Sequence, residues 1–544
     1  HDSITQQRES IVQSGLETRT RNSEGNFVKL PDTFIRKLLD YQKPSVDRLY
    51  AVGNGANFSV PGSGKTTIAL AAYSLMKQAK QVDCILVISP RPAFMAWEDE
   101  FEACFGRLAN TVRLCGDNIL ETHENIDIFL STYQLMSSRP NEFTAFLQNH
   151  KTLMILDESH YIKNGNKIKS TAYAKVARDI APFATKRMIL SGTPCPQALY
   201  DLWSQIEFLY PNQQILGSFD HFKHYTKVHD RISPQDNDTL RNLYTRITKD
   251  DLNLPDPNFV EIDVAMDSRQ EQIYDAIEVK VVEQLQRESS VENAKMAYFR
   301  GDRGGKIIRM IQAASNPALL TRNDFEFDLD STKVLVDTET SELIENYTKY
   351  GHVPHKLMEA CKKAIEIAVS GEKVVLWTSF LHNIDMIETQ LLKQNVKKNE
   401  VLKIDGRVPK DDEEDKQYNR ERIIKAFKEN PNYKILIATP PSCSESVSLH
   451  INSRGETVCK NAIYFDRTFN AAHYIQSKDR IHRIGIKDDT EVTYWIFKSA
   501  YHTEDGNESK TCYIDDWTHN RLQRKEERML RALGDEKLTK DSDL

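Results

Sequence analysis

Long apolar runs are missing from this 544-residue chain. No stretch approaches the ~20 apolar residues needed to span a bilayer, which excludes a membrane-spanning helix. Hydrophobic residues make up 40% and mean hydropathy is −0.55, the balance expected of a soluble globular protein. The eight cysteines (Cys84, Cys104, Cys115, Cys195, Cys361, Cys443, Cys459 and Cys512) form no C-x-x-C pair and no Cys/His cluster. A structural metal site and a disulfide framework are thereby excluded, and a reducing, cytoplasmic setting is expected. Excess positive charge is missing too: 72 Lys and Arg against 79 Asp and Glu give a net charge of −7. A nucleic-acid partner would have to be held by a local basic surface rather than by the chain as a whole. There is no secretory signal, and the chain opens on His1 rather than Met, as expected of a trimmed or partial polypeptide. No internal repeat of ~20–50 residues is evident.

The length suggests three or four domains, or two large lobes with insertions. Residues 1–37 form a polar, weakly patterned lead-in. In 38–211, short apolar runs (Ile85–Ile88, Ile126–Leu130, Leu153–Leu156, Met188–Leu190) alternate with helical patterns and end in polar residues. Buried strands followed by helices predict a parallel sheet, with ligands at the carboxyl ends of its strands. Residues 212–355 read as charged helical protrusions and a linker, with acidic residues from Asp324 to Glu345. Alternation returns in 356–500 (Val374–Trp377, Leu402–Ile404, Ile435–Ala438, Ala462–Phe465, Val492–Ile496), predicting a second α/β lobe. Residues 501–544 carry Leu522, Met529, Leu530 and Leu533 on one face of a helix expected to brace the lobes.

Three motifs in the first lobe point to nucleotide chemistry. In VPGSGKTT (60–67) the glycines let backbone N–H groups point at phosphate oxygens, with Gly62, Ser63, Gly64, Lys65, Thr66 and Thr67 forming the cradle. Lys65 would reach the β- and γ-phosphates of ATP and Thr66 would ligate Mg²⁺. Ser59 stands where such loops usually begin with glycine. In LMILDESH (153–160) a strand delivers Asp157, a second Mg²⁺ ligand, and Glu158, the general base for the attacking water. In MILSGTP (188–194), Ser191, Gly192 and Thr193 can exchange hydrogen bonds when the γ-phosphate leaves, which suits a coupling element.

A fourth motif lies far along the chain. QSKDRIHRIG (476–485) carries Arg480 and Arg483, framed by Gln476 and Gly485. On one helix, three-residue spacing would put both arginines on the same face. Guanidinium groups suit bidentate phosphate contact and transition-state charge, and such a finger is worth ~10³–10⁵ in rate. The two half-sites predict an ATP-driven motor whose domains close around the nucleotide.

The chain resembles the SWI/SNF-type branch of superfamily-two helicases over roughly residues 38–520. The resemblance rests on YQKPSVDRL (41–49), ILVISPRPAFMAWEDEF (85–101), SGTPCPQALYDLWSQIEFLYP (191–211), YTRITKDDLNLPDP (244–257), IQAASNPALL (311–320) and YFDRTFNAAHYIQSKDRIHRIG (464–485). It implies two RecA-like lobes and ATP hydrolysis coupled to movement along double-stranded DNA, with remodelling or displacement of protein–DNA complexes. It also implies that Gln42 reads adenine, which together with the lack of a guanine-reading Asn-Lys-x-Asp segment selects ATP. By position, Arg91, Thr132, Ser379, Arg407 and Thr439 would contact DNA. The chain departs from the branch at TPPSCSESVSLH (439–450), where Ser446 and Ser448 replace the usual glycine and asparagine and put tight coupling of hydrolysis to stepping in question. The short stretch between Gly406 and Arg420 and the lack of accessory chromatin modules suggest a compact prokaryotic or viral member, of the kind found in anti-phage systems or among RNA polymerase-recycling factors, with further protein subunits kept open as partners. Two alternatives remain: a strand-separating DNA or RNA helicase, and an ATP-gated scaffold with little turnover.

Overall fold

The computed structural model describes residues 2–114, 125–163, 168–288, 304–321, 338–408, 419–443, 448–487, 490–502 and 510–534. The chain divides into two compact units, residues 1–254 with 524–544, and residues 255–523. Among the described residues, no helix is long and apolar enough to cross a membrane.

The first unit is built on seven parallel strands. They are β1 (Gly55–Asn57), β2 (Cys84–Ile88), β3 (Thr111–Arg113), β4 (Ile128–Ser131), β5 (Thr152–Asp157), β6 (Lys186–Leu190) and β7 (Tyr244–Thr245), in the order β3-β4-β2-β5-β6-β1-β7. β2 is buried along its whole length and β5 everywhere but its final Asp157, as the unbroken apolar runs require of strands covered on both faces. The helix Lys65–Gln78 buries every residue from Thr67 to Met76. It packs with Ile85, Val87, Ile128, Leu130, Leu153, Ile155, Met188 and Leu190 in one core. A helix apolar all round can sit only inside, so the sequence after the phosphate loop fixes that loop to the centre of the fold.

Register decides where the motifs meet. Asn57 on β1 and Asp157 on β5 both pair with Leu190 on the intervening β6. The ends of these three strands are therefore level, and β1 and β5 stand about 10 Å apart at the usual strand spacing.

The second unit holds another seven-stranded sheet. Its strands are β8 (Asn258–Ala265), β9 (Lys373–Trp377), β10 (Val401–Ile404), β11 (Ile435–Ala438), β12 (Cys459–Tyr464), β13 (Thr493–Tyr501) and β14 (Lys510–Thr511). The order is β10-β11-β9-β12-β13-β14, with β8 also pairing with β13, and all pairs are parallel except β13–β14. One core lies on the sheet (Leu357, Ala364, Leu376, Ile384, Ile437, Ile463), and another joins helices Ser268–Glu288 and Gly304–Ser315 to Ile514 and Trp517.

Several expectations change. Residues 258–265 were expected within helical protrusions, yet β8 runs in register with β13 from Asn258–Thr493 to Ala265–Ala500. The physical signal is the apolar/acidic alternation of Phe-Val-Glu-Ile-Asp-Val, period two rather than 3.6. The lead-in is a helix, Asp2–Ser23. In the helix Tyr513–Ala532, Leu522 and Met529 are buried, as is Leu533 just past its end, whereas Leu530 is only half-buried. Residues up to Gln523 belong to the second unit and those from Arg524 to the first. The acidic residues Asp324 to Asp337 lie outside the described residues.

Candidate active site

β1 leads into the phosphate loop through an extended arm, Phe58–Val60, zipped to the segment after β7. Phe58 and Val60 N–H groups donate to the Thr245 and Ile247 carbonyls at 2.9 and 3.0 Å. Ser59, the residue in the place of the usual glycine, accepts the Ile247 N–H on its hydroxyl at 2.9 Å. The arm thus uses a side chain where glycine would offer none.

Gly62 and Gly64 take φ of +87° and +84°, conformations that cost an L side chain about 1–2 kcal/mol. Gly64 is also the residue from which the helix Lys65–Gln78 starts, so the positive end of a buried helix faces the loop. A Cβ at Gly64 would lie 2.3 Å from Nε2 of Gln42. That amide donates to the Ser63 carbonyl at 3.0 Å, while its oxygen accepts the Leu39 N–H at 3.0 Å. Gln42 therefore clamps the loop in addition to any contact with a base. Lys65 Nζ donates to the Ser59 carbonyl at 3.0 Å, folded back along the loop. Thr66 is half-buried, but the Thr67 hydroxyl is committed to the Glu100 carboxylate, which also receives Arg36.

At the end of β5, Trp97 Nε1–H donates to Oδ2 of Asp157 at 2.9 Å, and the Glu158 N–H donates to Oδ1 at 3.0 Å. Tyr133 donates its hydroxyl to the Asp157 carbonyl at 2.7 Å. Burial, reinforced by the neighbouring Glu158 charge, pushes the Asp157 carboxyl up to about 6. Glu158 adopts φ +53°, which turns its side chain away from the strand's alternation. Its carboxylate lies 3.2 Å from Nδ1 of His160, and the same ring nitrogen lies 3.3 Å from the Ser191 hydroxyl. Ser191 Oγ also accepts the Thr193 N–H at 3.1 Å, and the Ser191 N–H donates to the Asn57 carbonyl at 3.1 Å. Gly192 sits against Pro61, whose Cδ would be 2.9 Å from an added Cβ. The phosphate loop, Asp157–Glu158 and Ser191–Thr193 are thus brought into one connected site within the first unit.

The donor set suits a Mg²⁺–triphosphate. Among the described residues, Ser63 Oγ and Thr193 Oγ1 are buried with no hydrogen-bond partner, and the two left-handed glycines shape a backbone cradle. Thr66 and Asp157 supply the hard oxygen donors that Mg²⁺ takes one or two at a time alongside phosphate.

In the second unit the helix Ala471–Lys478 ends before the arginines. Three-residue spacing would put Arg480 and Arg483 on one face if they lay on a helix; they lie in the turns that follow it, so that condition is not met. There the Arg480 and Ile481 N–H groups donate back three residues, to Ser477 and Lys478. Arg480 is buried and its Nε donates to the Gln476 carbonyl at 3.0 Å, while Arg483 is half-buried. Gly485 has φ +101°.

The expected DNA contacts are scattered. Arg91 is exposed at the start of a short 3₁₀ turn after β2, and Thr132 caps the helix Tyr133–Ser138 by accepting the Leu135 N–H. The Ser379 N–H donates to Asp466 at 2.7 Å. Arg407 is clasped by Asp385 (2.8 and 3.0 Å) and by Asp405 (2.7 and 3.0 Å), a guanidinium neutralised by two carboxylates rather than offered to a phosphate. Thr439 is fully buried and its hydroxyl donates to Ser442 at 2.7 Å. Trp97, Tyr133 and His160 are site residues that motif reading did not single out, and Ser59 was noted only as a departure from glycine. Trp97 and His160 lay inside quoted motifs, whereas Tyr133 carries no local signal.

Comparison with known proteins gives the site its context. The SNF2-related domain matches residues 55–309, and the helicase conserved C-terminal domain matches residues 356–485. The chain is 26% identical to the ATP-dependent helicase FUN30 of Saccharomyces cerevisiae, over 81% of this chain and 42% of that protein. It is 24% identical to the uncharacterized ATP-dependent helicase MG018 of Mycoplasma genitalium, over 90% of this chain and 42% of that one. The chain thus spans less than half the length of these relatives. Among solved structures, the Sulfolobus solfataricus SWI2/SNF2 ATPase core in complex with dsDNA is 20% identical, covering 87% of this chain and 90% of that one, with a TM-score of 0.38. The phosphate loop and its carboxylate pair fall within the SNF2-related match and the two arginines within the helicase C-terminal match, so each motif lies in a segment similar to one of these two domains.

Proposed function

We propose that the protein is a DNA-dependent ATPase that moves along double-stranded DNA and remodels or displaces protein–DNA complexes. The observation that carries this reading is the connected site of Lys65, Asp157, Glu158, His160 and Ser191 at the level ends of β1, β6 and β5. Bound Mg²⁺, held by Thr66 and Asp157, would neutralise charge on the β- and γ-phosphates. Glu158 is placed to orient and deprotonate the attacking water. His160 and Ser191 give the loss of the γ-phosphate a route into the Ser191–Thr193 segment. Arg480 and Arg483 of the second unit are assigned to the charge that develops on the phosphoryl group.

DNA would be gripped at its phosphates, so binding should be salt-sensitive and poor in sequence preference. Arg91, Thr132, Ser379, Arg407 and Thr439 remain the proposed contact set; Arg407, paired with Asp385 and Asp405, and the buried Thr439 would have to exchange partners to reach a phosphate. The first test is steady-state ATP hydrolysis with no nucleic acid, duplex DNA, single-stranded DNA and RNA, with Lys65→Ala as the blank. Selective stimulation by duplex DNA supports translocation. Stimulation by single strands or RNA favours the strand-separating reading, consistent with the helicase names of the relatives. Glu158→Gln should bind ATP and abolish turnover; unchanged turnover would remove Glu158 from its assigned role.

A further inference from the structure

The segment after Thr439 departs from the pattern the rest of the chain follows, and its described part makes contacts of its own. The Leu449 N–H donates to the Arg480 carbonyl at 2.9 Å. His450 Nε2 lies 2.7 Å from the Ile484 carbonyl, and Nδ1 lies 2.7 Å from the Ser448 hydroxyl. A carbonyl can only accept, so the proton must sit on Nε2. Nδ1 is then bare and receives the Ser448 O–H. The ring is 4% exposed. Burial, with Arg483, Lys428 and His482 adding to it against the pull of the Ile484 bond, drives its pKa down to about 4, so this neutral tautomer persists at physiological pH.

These two bonds bracket Arg483. One anchors the carbonyl of Arg480, three residues before it; the other anchors the carbonyl of Ile484, one residue after. Gly485, with φ +101°, completes the turn, and a Cβ there would meet His450 Nε2 at 3.4 Å and Ile451 Cδ1 at 3.3 Å. The histidine ring and Ile451 therefore pack against the backbone of Gly485.

We propose that His450, its tautomer set by the Ile484 carbonyl and its ring steadied by Ser448, is a positioning residue that holds the 480–485 turn so that Arg483 is presented in a single place. This inference rests on the reading that Arg483 acts on the phosphoryl group of ATP. It assigns a purpose to Ser448 and His450, which stand in a segment whose departure otherwise suggested only weakened coupling.

The test compares His450→Phe, His450→Gln and Arg483→Ala in the full chain. Phe keeps the ring and loses both hydrogen bonds; the Gln amide can still donate to the Ile484 carbonyl. His450→Phe is expected to lower kcat by about tenfold to a hundredfold with KM for ATP little changed, because a misplaced group costs rate rather than ground-state binding. ADP–aluminium fluoride should bind correspondingly more weakly, with ADP binding unaltered, and His450→Gln should recover most of the loss. Wild-type kcat in folded His450→Phe, beside a strongly impaired Arg483→Ala, overturns the positioning role. An unimpaired Arg483→Ala overturns instead the reading on which it rests. If His450→Phe does not fold, Ser448→Ala carries the test. It keeps the ring and removes the hydrogen bond to Nδ1 that steadies the ring's orientation, so a lowered kcat supports the role and a wild-type kcat overturns it.

Discussion

The indole N–H of Trp97 donates to Oδ2 of Asp157 across 2.9 Å, tying the helix Phe94–Phe105 to the carboxylate at the end of β5. Trp97 is 1% exposed, so the donor side of this bond is buried while the half-buried Asp157 keeps an open face. A carboxylate assigned to Mg²⁺ is thereby fixed in orientation by a neighbour that never touches the metal.

Trp97→Phe keeps an aromatic ring in the core and removes the donor. The Mg²⁺ concentration for half-maximal ATP hydrolysis should rise about 10–100-fold, the usual effect of losing a bond that orients a metal ligand. Nucleotide binding measured without Mg²⁺ should stay as in the parent protein. An unchanged Mg²⁺ requirement in the folded variant would show that Asp157 needs no such support.

Gly64 is held by two separate constraints, and they can be pulled apart. Its φ of +84° disfavours any side chain, and a Cβ would stand 2.3 Å from Gln42 Nε2. Gly64→Ala should weaken binding of a fluorescent ATP analogue by at least about tenfold, given the ~1–2 kcal/mol of backbone strain alone. Adding Gln42→Ala relieves the clash and not the strain, so, compared with Gln42→Ala alone, the Gly64→Ala penalty should shrink without vanishing. Its disappearance would mean that the backbone conformation carries no cost.

Much of the site was legible in the sequence because its chemistry is local. A glycine-rich loop before a helix, and an apolar strand ending in Asp157-Glu158, are contiguous patterns with fixed geometry. The apolar runs placed nine strands for the same reason. What escaped depends on contacts between distant segments. Ser59 makes sense only beside Ile247, Gln42 only beside Ser63 and Leu39, and Arg407 only beside Asp385 and Asp405. β8 was hidden because its outward acidic residues resemble those of a solvated helix. Its pairing partner β13 lies more than two hundred residues away. Whether Arg480 and Arg483 share a helix was not legible, because spacing alone does not reveal where a helix stops.

His519 offers a pH test in the second unit. Arg467 donates to its Nδ1 at 3.0 Å, so the proton is on Nε2, 3.1 Å from Glu261. Burial, with Arg467 next in effect, lowers its pKa from 6.5 to about 4; Lys498 and Asp516 are the other charges facing it. Because the folded value is depressed, the unfolded chain takes up the proton first as pH falls. This contribution to stability is complete above pH ~6.5 and drains away as pH falls towards 4, by up to ~3 kcal/mol. His450 acts in the same direction. Thermal unfolding between pH 7.5 and 4.5 should show His519→Gln losing less stability on acidification than the parent protein. Parallel acid limbs would remove His519 from the account.

Asp466 provides a harder test of the second unit's interior. Its Oδ2 accepts from the Thr378 hydroxyl at 2.6 Å, from Asn383 Nδ2 at 3.0 Å and from the Ser315 hydroxyl at 3.1 Å, while Oδ1 accepts the Ser379 N–H at 2.7 Å. One carboxylate therefore joins the segment after β12 to the end of β9, the helix Leu381–Lys393 and the helix Gly304–Ser315. Asp466→Asn turns one of the two acceptors into a donor. With the amide nitrogen at Oδ1 it confronts the Ser379 N–H; at Oδ2 it confronts Asn383, which cannot flip freely because its own Oδ1 accepts from Asn316 at 2.9 Å. Either orientation leaves a buried donor facing a donor, at a cost of roughly 1–3 kcal/mol. Ser315→Ala, by contrast, removes one of four donors and leaves the carboxylate satisfied, so it should cost about 1 kcal/mol or less. Urea unfolding of the two variants should rank them in that order. Equal costs would mean that the hub works through packing rather than through the charge it gathers.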